Sequence, residues 1–306
     1  MNAWASGDIP SQAGKLAVIT GANSGIGYFT ALELAKAGAN VILACRNAEK
    51  GAAAAAKINA VAPGRAVFEA LDLARLASVH DFAARFKAAH GTLDLLINNA
   101  GVMATPARQV TADGFELQFG VNFLGHFALT ALLLPALMKA PAPRVIQLSS
   151  IAHRQGRIDL ADLQSARGYK PWQAYSQSKL AMLMFALELQ RRADAGGWGL
   201  LSLAAHPGIA RTELIANGPG TLTALGLKLV EPFISQSGAD GALPTLFAAT
   251  AADVTPGGYY GPTGFKEFRG PPGKARPEKL ALDAGVARAL WEAAEALTTL
   301  SITPGP

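Results

Sequence analysis

Tyr175-Ser176-Gln177-Ser178-Lys179 sets a phenol and an ammonium four residues apart where a helical stretch begins, so both side chains project from one helix face. Such a pair suits proton transfer. A phenol with an ordinary pKa of about 10 is a weak base at neutral pH, and a nearby cation favours its ionised form. Lowering that pKa by about two or three asks for roughly 3 to 4 kcal/mol, which a close, partly desolvated ammonium can supply. The phenol then gives its proton to a carbonyl oxygen in reduction and removes the proton of an alcohol in oxidation. Upstream, Ser149-Ser150 closes a strand, and a serine hydroxyl there can hold the substrate oxygen while the carbon is aligned.

A hydride donor has a place in the same chain. Thr20-Gly21-Ala22-Asn23-Ser24-Gly25-Ile26-Gly27 lies between the first predicted strand and the first predicted helix. There, backbone N–H groups and a helix N-terminus meet a pyrophosphate, and glycines permit its close approach. Dinucleotide choice turns on the end of the second strand, Val41-Ile42-Leu43-Ala44-Cys45-Arg46-Asn47, which holds no carboxylate. An acid at the place of Cys45 would accept hydrogen bonds from a ribose 2′-hydroxyl. Arg46 instead pairs with a 2′-phosphate and stacks on adenine, which favours NADP(H) over NAD(H). A merely solvated Arg46 is the plain alternative.

The elements that must position these residues alternate along the chain. Short apolar runs at 16–20, 41–45, 66–70, 93–98, 144–149 and 200–206 read as strands buried on both faces, with a last short one at 258–260. Helical stretches at 25–37, 48–61, 76–89, 114–134, 172–192 and 238–251 fall between them. This order predicts an α/β fold, a Rossmann-type doubly wound parallel sheet. No linker or repeat divides the chain, so residues 1–306 read as one domain, with a core over about 14–260, a lid over 212–236 and a C-terminal extension over 261–306. In the extension, 262–277 is loop-like, rich in Gly, Pro and charge, and a helical pattern resumes over 283–297.

The spacing of Gly21, Gly25 and Gly27 matches TGxxxGxG. Asp72-Leu73, Asn98-Asn99-Ala100-Gly101, Ser150, Tyr175 with Lys179, and Pro207-Gly208 follow in order, so the chain resembles the short-chain dehydrogenase/reductase family over about residues 14–260. The resemblance implies roles position by position. It assigns Asp72 to the adenine amino group, the Asn99-Ala100-Gly101 backbone to the adenosine side, and Ile209 with Thr212 to the nicotinamide carboxamide. Asn23, Ser24, Ile26, Asn47, Leu73, Pro207 and Gly208 complete the implied nucleotide-binding set. It also favours Ser150 over Ser149 and makes Asn122 a fourth catalytic residue, one that locally opens its helix and carries a water-linked proton relay to Lys179. From residue type alone, Asp72 reads equally as a helix cap, Asn99 as a satisfied turn and Asn122 as a buried polar cap.

Twenty-four residues separate Ser150 and Tyr175, and the run Val121-Asn122-Phe123-Leu124-Gly125-His126-Phe127 precedes them. With the long tail, these features are similar to the branch containing retinol dehydrogenases, protochlorophyllide reductases and the WW-domain oxidoreductase. The lid stretch is apolar, with Leu214, Ile215, Leu222 and Leu225, and the resemblance implies that it closes over nicotinamide and admits a hydrophobic carbonyl or alcohol. Met103, Ala152, His153 and Leu214 are the residues expected at the substrate pocket. The same pattern also accommodates reduction of a carbon–carbon double bond, or a protein that senses the cofactor without chemistry.

Half of the 306 residues are apolar and 16% are charged, which suits a globular core. The net charge of +5, from 27 basic and 22 acidic residues, is scattered, so no nucleic-acid partner is implied. Cys45 is the only cysteine, which excludes an internal disulfide and a thiol-rich metal site and fits a reducing, cytoplasmic setting. No metal site is expected, because no His/Cys/Asp/Glu cluster has ligand spacing. Residues 1–14 lack a secretory pattern, and 121–138, broken by Asn122, Gly125, His126 and Pro135, reads as a buried helix instead of an integral membrane segment. His126 and His206 read as packing or backbone-satisfying residues. The sequence leaves monomer and homo-oligomer equally open.

Overall fold

The computed structural model describes residues 3–209 and 236–303, so Thr212, Leu214 and nearly all of the expected lid lie outside the described residues. Eight strands form one sheet: β1 (Leu16–Thr20), β2 (Asn40–Cys45), β3 (Ala66–Ala70), β4 (Leu95–Asn98), β5 (Arg144–Leu148), β6 (Leu201–Ala205), β7 (Tyr259–Pro262) and β8 (Pro272–Lys274). Their order is β3-β2-β1-β4-β5-β6-β7-β8. Every neighbouring pair is parallel except β7 with β8. The fold is the expected Rossmann-type doubly wound sheet, with one strand more than the sequence indicated.

The strands are apolar throughout because successive side chains enter opposite layers. Val18, Ile42, Leu96 and Val145 belong to one layer, covered by α3 (Leu76–Ala89), α4 (Leu117–Leu137), α5 (Pro171–Gly196) and α7 (Ala284–Thr298). Ile19, Leu43, Ile97 and Ile146 belong to the other, covered by α1 (Gly25–Lys36), α2 (Ala48–Asn59) and α6 (Gly238–Thr250). Among the described residues α4 is the one helix long and apolar enough to cross a membrane, and 83% of its apolar window is buried inside the protein.

Two helices of the first layer carry Asn122, Tyr175 and Lys179, three of the four candidate catalytic residues, and α7 covers their backs. Trp291 of α7 packs edge-on against Phe127 of α4 at 5.2 Å and against Phe185 of α5 at 5.7 Å. On its other side the Arg192 guanidinium lies 4.2 Å from the indole centre. Trp291 is 2% exposed, and large-to-small changes at such sites cost about 3 to 5 kcal/mol. Trp291→Ala should therefore lower the unfolding free energy by that amount in a urea titration; a loss under about 1 kcal/mol would contradict this packing.

Candidate active site

The C-terminal ends of β1, β4 and β5 lie where the strand order departs in two directions from β1, the crevice in which open α/β sheets bind ligands. Thr20, the last residue of β1, is fully buried. Its Oγ1 accepts the backbone N–H groups of Asn99 and Ala100, each at 2.9 Å. Asn99 in turn donates its Nδ2 to the Thr20 carbonyl at 2.7 Å. A Cβ at Gly27 would fall 2.5 Å from Asn99 Nδ2 and 2.6 Å from the Gly21 carbonyl, so glycine is what lets α1 begin flush against the β4 turn. Ser24 occupies the N-cap of α1 without spending its hydroxyl on the cap. This cradle at a helix N-terminus fits the pyrophosphate of a dinucleotide.

His126 ties the cradle to α4. Its Nδ1 lies 2.9 Å from the Asn122 carbonyl, which can only accept, so Nδ1 carries the ring proton and Nε2 accepts from Thr20 Oγ1 at 2.9 Å. Burial, aided by the Lys179 charge, pushes His126 down to about 3 despite the Asn122 bond, and the ring stays neutral. Around Asn122, α4 widens into a π turn at Gly120–Leu124, a local opening of the kind expected there. Asn122 Oδ1 accepts from the Val102 N–H at 2.8 Å, and Nδ2 donates to the Val102 carbonyl and to Ser178 Oγ, both at 2.9 Å. Ser178 passes its proton to the Tyr175 carbonyl at 2.8 Å, so the π turn is fixed to α5.

Lys179 Nζ donates to the Leu148 carbonyl at 3.0 Å, and Ser149 Oγ donates to the Lys179 carbonyl at 2.8 Å. These two bonds lock α5 to the end of β5. They also occupy the Ser149 hydroxyl, whereas Ser150 Oγ accepts the Ala152 N–H at 3.2 Å and reaches the Tyr175 phenol. A Cβ at Gly101 would lie 3.1 Å from Asn122 Oδ1 and 3.4 Å from Lys179 Nζ, so the amide and the ammonium converge beside the Gly101 backbone. Tyr175 and Lys179 are 6% and 5% exposed. Burial pushes the phenol up to about 12, partly opposed by the Ser150 bond, and the lysine down to about 8. The expected lowering of the phenol is thus not met by the protein alone. Lys179 Nζ sits 5.9 Å from the Tyr175 ring centre, and at that range desolvation of a phenolate outweighs the attraction.

A family model described as short chain dehydrogenase matches residues 15–219, a stretch containing the glycine loop, the π turn, Ser150, Tyr175 and Lys179. The chain belongs to the short-chain dehydrogenase family. Retinol dehydrogenase 13 of Mus musculus is 42% identical over 311 residues, covering 98% of this chain and 90% of that protein. A solved structure of a protein from Mycobacterium paratuberculosis matches with a TM-score of 0.83 and 43% identity, over 99% of this chain and 100% of that one. The Pseudomonas aeruginosa RhlG/NADP active-site complex matches with a TM-score of 0.64 and 26% identity, over 81% of this chain and 94% of that one. This short-chain dehydrogenase is accordingly an oxidoreductase of the carbonyl–alcohol class.

Several expected contacts of the dehydrogenase have local duties. Asn47 caps α2, its Oδ1 accepting the Lys50 N–H at 2.8 Å, and Arg46 beside it is exposed. Cys45 lies buried against the glycine loop, where burial raises its thiol to about 11 against bonds from the Ala22 and Asn23 N–H groups. Asp72 Oδ1 accepts the Ala74 N–H at 3.0 Å, and Leu73 is core. Met103 is half-buried on the segment tied to Asn122, but Ala152 and His153, placed by sequence at the pocket, are 2% and 1% exposed. The His153 ring turns inward, donating from Nδ1 to the Ser150 carbonyl at 2.7 Å and accepting the Glu278 N–H on Nε2 at 3.3 Å. Pro207, Gly208 and Ile209 follow β6 at the same sheet edge. The tight seat of α1 leaves no room for a methyl group, so Gly27→Ala should weaken binding of a nicotinamide dinucleotide at least about tenfold in a fluorescence or calorimetric titration. An unchanged Kd would count against the cradle.

Proposed function

We propose that this enzyme transfers hydride between NADP(H) and the carbonyl carbon of an apolar aldehyde or ketone, or the corresponding alcohol, with Tyr175 exchanging the accompanying proton. The observation that carries this reading is the convergence of the Lys179 ammonium and the Asn122 amide beside the Gly101 backbone, one helical turn from the buried Tyr175 phenol. Ser150 holds the substrate oxygen, and Tyr175, still protonated at neutral pH, gives that oxygen its proton as the carbon is reduced. Bound NADPH supplies the hydride. In oxidation the same phenol must first lose its proton, which the Lys179 ammonium and the positive nicotinamide favour.

NADP(H) preference rests on the end of β2, where a buried thiol stands in place of a carboxylate and the exposed Arg46 follows it. Gly21, Asn23, Ser24, Gly25, Ile26, Gly27, Arg46, Asn47, Asp72, Leu73, Asn99, Ala100, Gly101, Pro207, Gly208, Ile209 and Thr212 form the proposed nucleotide site. An apolar substrate is supported by the retinol dehydrogenase relative and by the leucine-rich stretch around Leu214. The lone buried Cys45 accords with a reducing, cytoplasmic setting.

Purified enzyme should oxidise NADPH when offered a panel of hydrophobic aldehydes and ketones, yielding alcohols, and Tyr175→Phe should lose about 10²- to 10⁴-fold in kcat; full activity in that variant would overturn the mechanism. Arg46→Asp should shift the NADPH/NADH ratio of kcat/KM toward NADH by at least about tenfold, and an unchanged ratio would remove Arg46 from the site. Carbonyl reduction should be flat from about pH 5 to pH 7, reach half its plateau near pH 8 and keep falling above it, as Lys179, lowered to about 8 by burial, loses its charge. A rate still rising beyond about pH 9 would contradict the assignment of Tyr175 as the acid.

A further inference from the structure

The matched family stretch ends at residue 219, yet the chain past β7 still returns to the reaction centre. The 263–271 loop joins the antiparallel strands β7 and β8, and in it Lys266 and Glu267 both take left-handed backbone, with φ of 50° and 61°. Residues other than glycine hold that conformation only where their surroundings impose it. Here the Glu267 carboxylate, 15% exposed, is bonded from three directions. Its Oε2 accepts from Arg154 Nη2 at 2.6 Å and lies 3.0 Å from His206 Nε2, and its Oε1 accepts the Arg276 N–H at 3.1 Å.

The two side-chain partners lead to opposite sides of the reaction centre. Arg154 belongs to the short turn Ile151–Gln155 that Ser150 caps, and it also donates to the Lys266 carbonyl at 3.2 Å. His206 directly follows β6 and is fully buried. Its Nδ1 accepts the Gly208 N–H at 3.2 Å, so Nε2 carries the ring proton and donates it to Glu267. The same loop grips the next residues directly, because the Ile209 N–H donates to the Phe268 carbonyl at 2.8 Å. Gly208, at φ 63°, passes so close to that carbonyl that a Cβ would collide with it. One half-buried carboxylate therefore stands between the Ser150 turn and the Pro207–Gly208–Ile209 turn.

We propose that Glu267 is a positioning residue for the reaction, holding Arg154 against His206 so that the Ser150 turn and the nicotinamide-side turn keep a fixed separation. The proposal rests on the functional reading above, since it gives Ser150 the substrate oxygen and Ile209 the cofactor side. Burial works against the Glu267 carboxylate, but the His206 hydrogen bond, then the Arg276 N–H and the Arg154 charge, bring its pKa below the usual carboxylate range, so it is ionised at neutral pH. Small errors in the placing of reacting atoms reduce the chemical step far more than they reduce binding.

Glu267→Ala, Arg154→Ala and the double variant should be compared with wild type in carbonyl reduction, with rates expressed per NADPH-binding site from titration. Glu267→Ala should lower kcat by about tenfold to a hundredfold, with the KM for the carbonyl and the Kd for NADPH changed less than about threefold. The double variant should be no slower than Glu267→Ala, because both changes remove one tie. The proposal is sunk if kcat per site stays within about twofold of wild type, or if the two single losses multiply. Should Glu267→Ala fail to fold, Glu267→Gln keeps an oxygen for Arg154 and His206 but sets an NH₂ against the Arg276 N–H, and a smaller fall in kcat at constant KM is expected; no fall would be equally decisive against it. Failure of wild type to reduce any carbonyl would sink the functional reading itself, whereas an active wild type with an equally active Glu267→Ala sinks only this proposal.

Discussion

A lysine ammonium taken almost wholly out of water must be compensated at close range, since the loss of hydration amounts to several kcal/mol. In this dehydrogenase the compensation comes from the Leu148 carbonyl, and Ser149 returns a bond to the Lys179 carbonyl. The helix that carries the phenol can then sit in only one place against the end of β5. Ser149, and not Ser150, is the serine committed to this lock. Asn122 completes the arrangement from the third side, and it can do so because a π turn aims its amide between Val102 and Ser178.

Electrostatically the centre is defended by neutral groups. His126, His153 and His206 are buried, and each ring has one nitrogen committed to a carbonyl or carboxylate and the other to a donor. Their pKa values are lowered by burial. Protonating any of the three would set a donor against a donor, so none adds a charge near Tyr175 at neutral pH. Lys179, 5.9 Å from the ring centre, is then the cation set against the phenol.

Strands and helices were legible because a sheet covered on both faces forces continuous apolar runs, and β1 and β3 have the bounds that the sequence suggests. β8 was not, since Pro272-Gly273-Lys274 has no strand signal and becomes one only by pairing with β7. Tyr175 and Lys179 were readable because a four-residue step on a helix is local geometry. The direction of the phenol's shift was not, because desolvation depends on what packs around it. Ser150 was preferred over Ser149 by resemblance alone, and the Ser149–Lys179 bond supplies the physical reason. The inward turn of His153 was not legible, because the chain turns within the three residues that separate it from Ser150. Glu267 gave no signal at all: its side-chain partners lie 113 and 61 residues away.

The seating of Trp291 on Phe127 and Phe185 also bears on how the enzyme comes into being. As the chain is synthesised from its N-terminus, α4 and α5 emerge with an aromatic face that no earlier segment covers, and α7 arrives only later. Until then these two helices expose the kind of surface that draws nascent chains into aggregates or to chaperones. Closure of that face joins distant parts of the sequence, which places it among the slow steps of folding. Only a chain made through Trp291 can cover the aromatic face that Phe127 and Phe185 share.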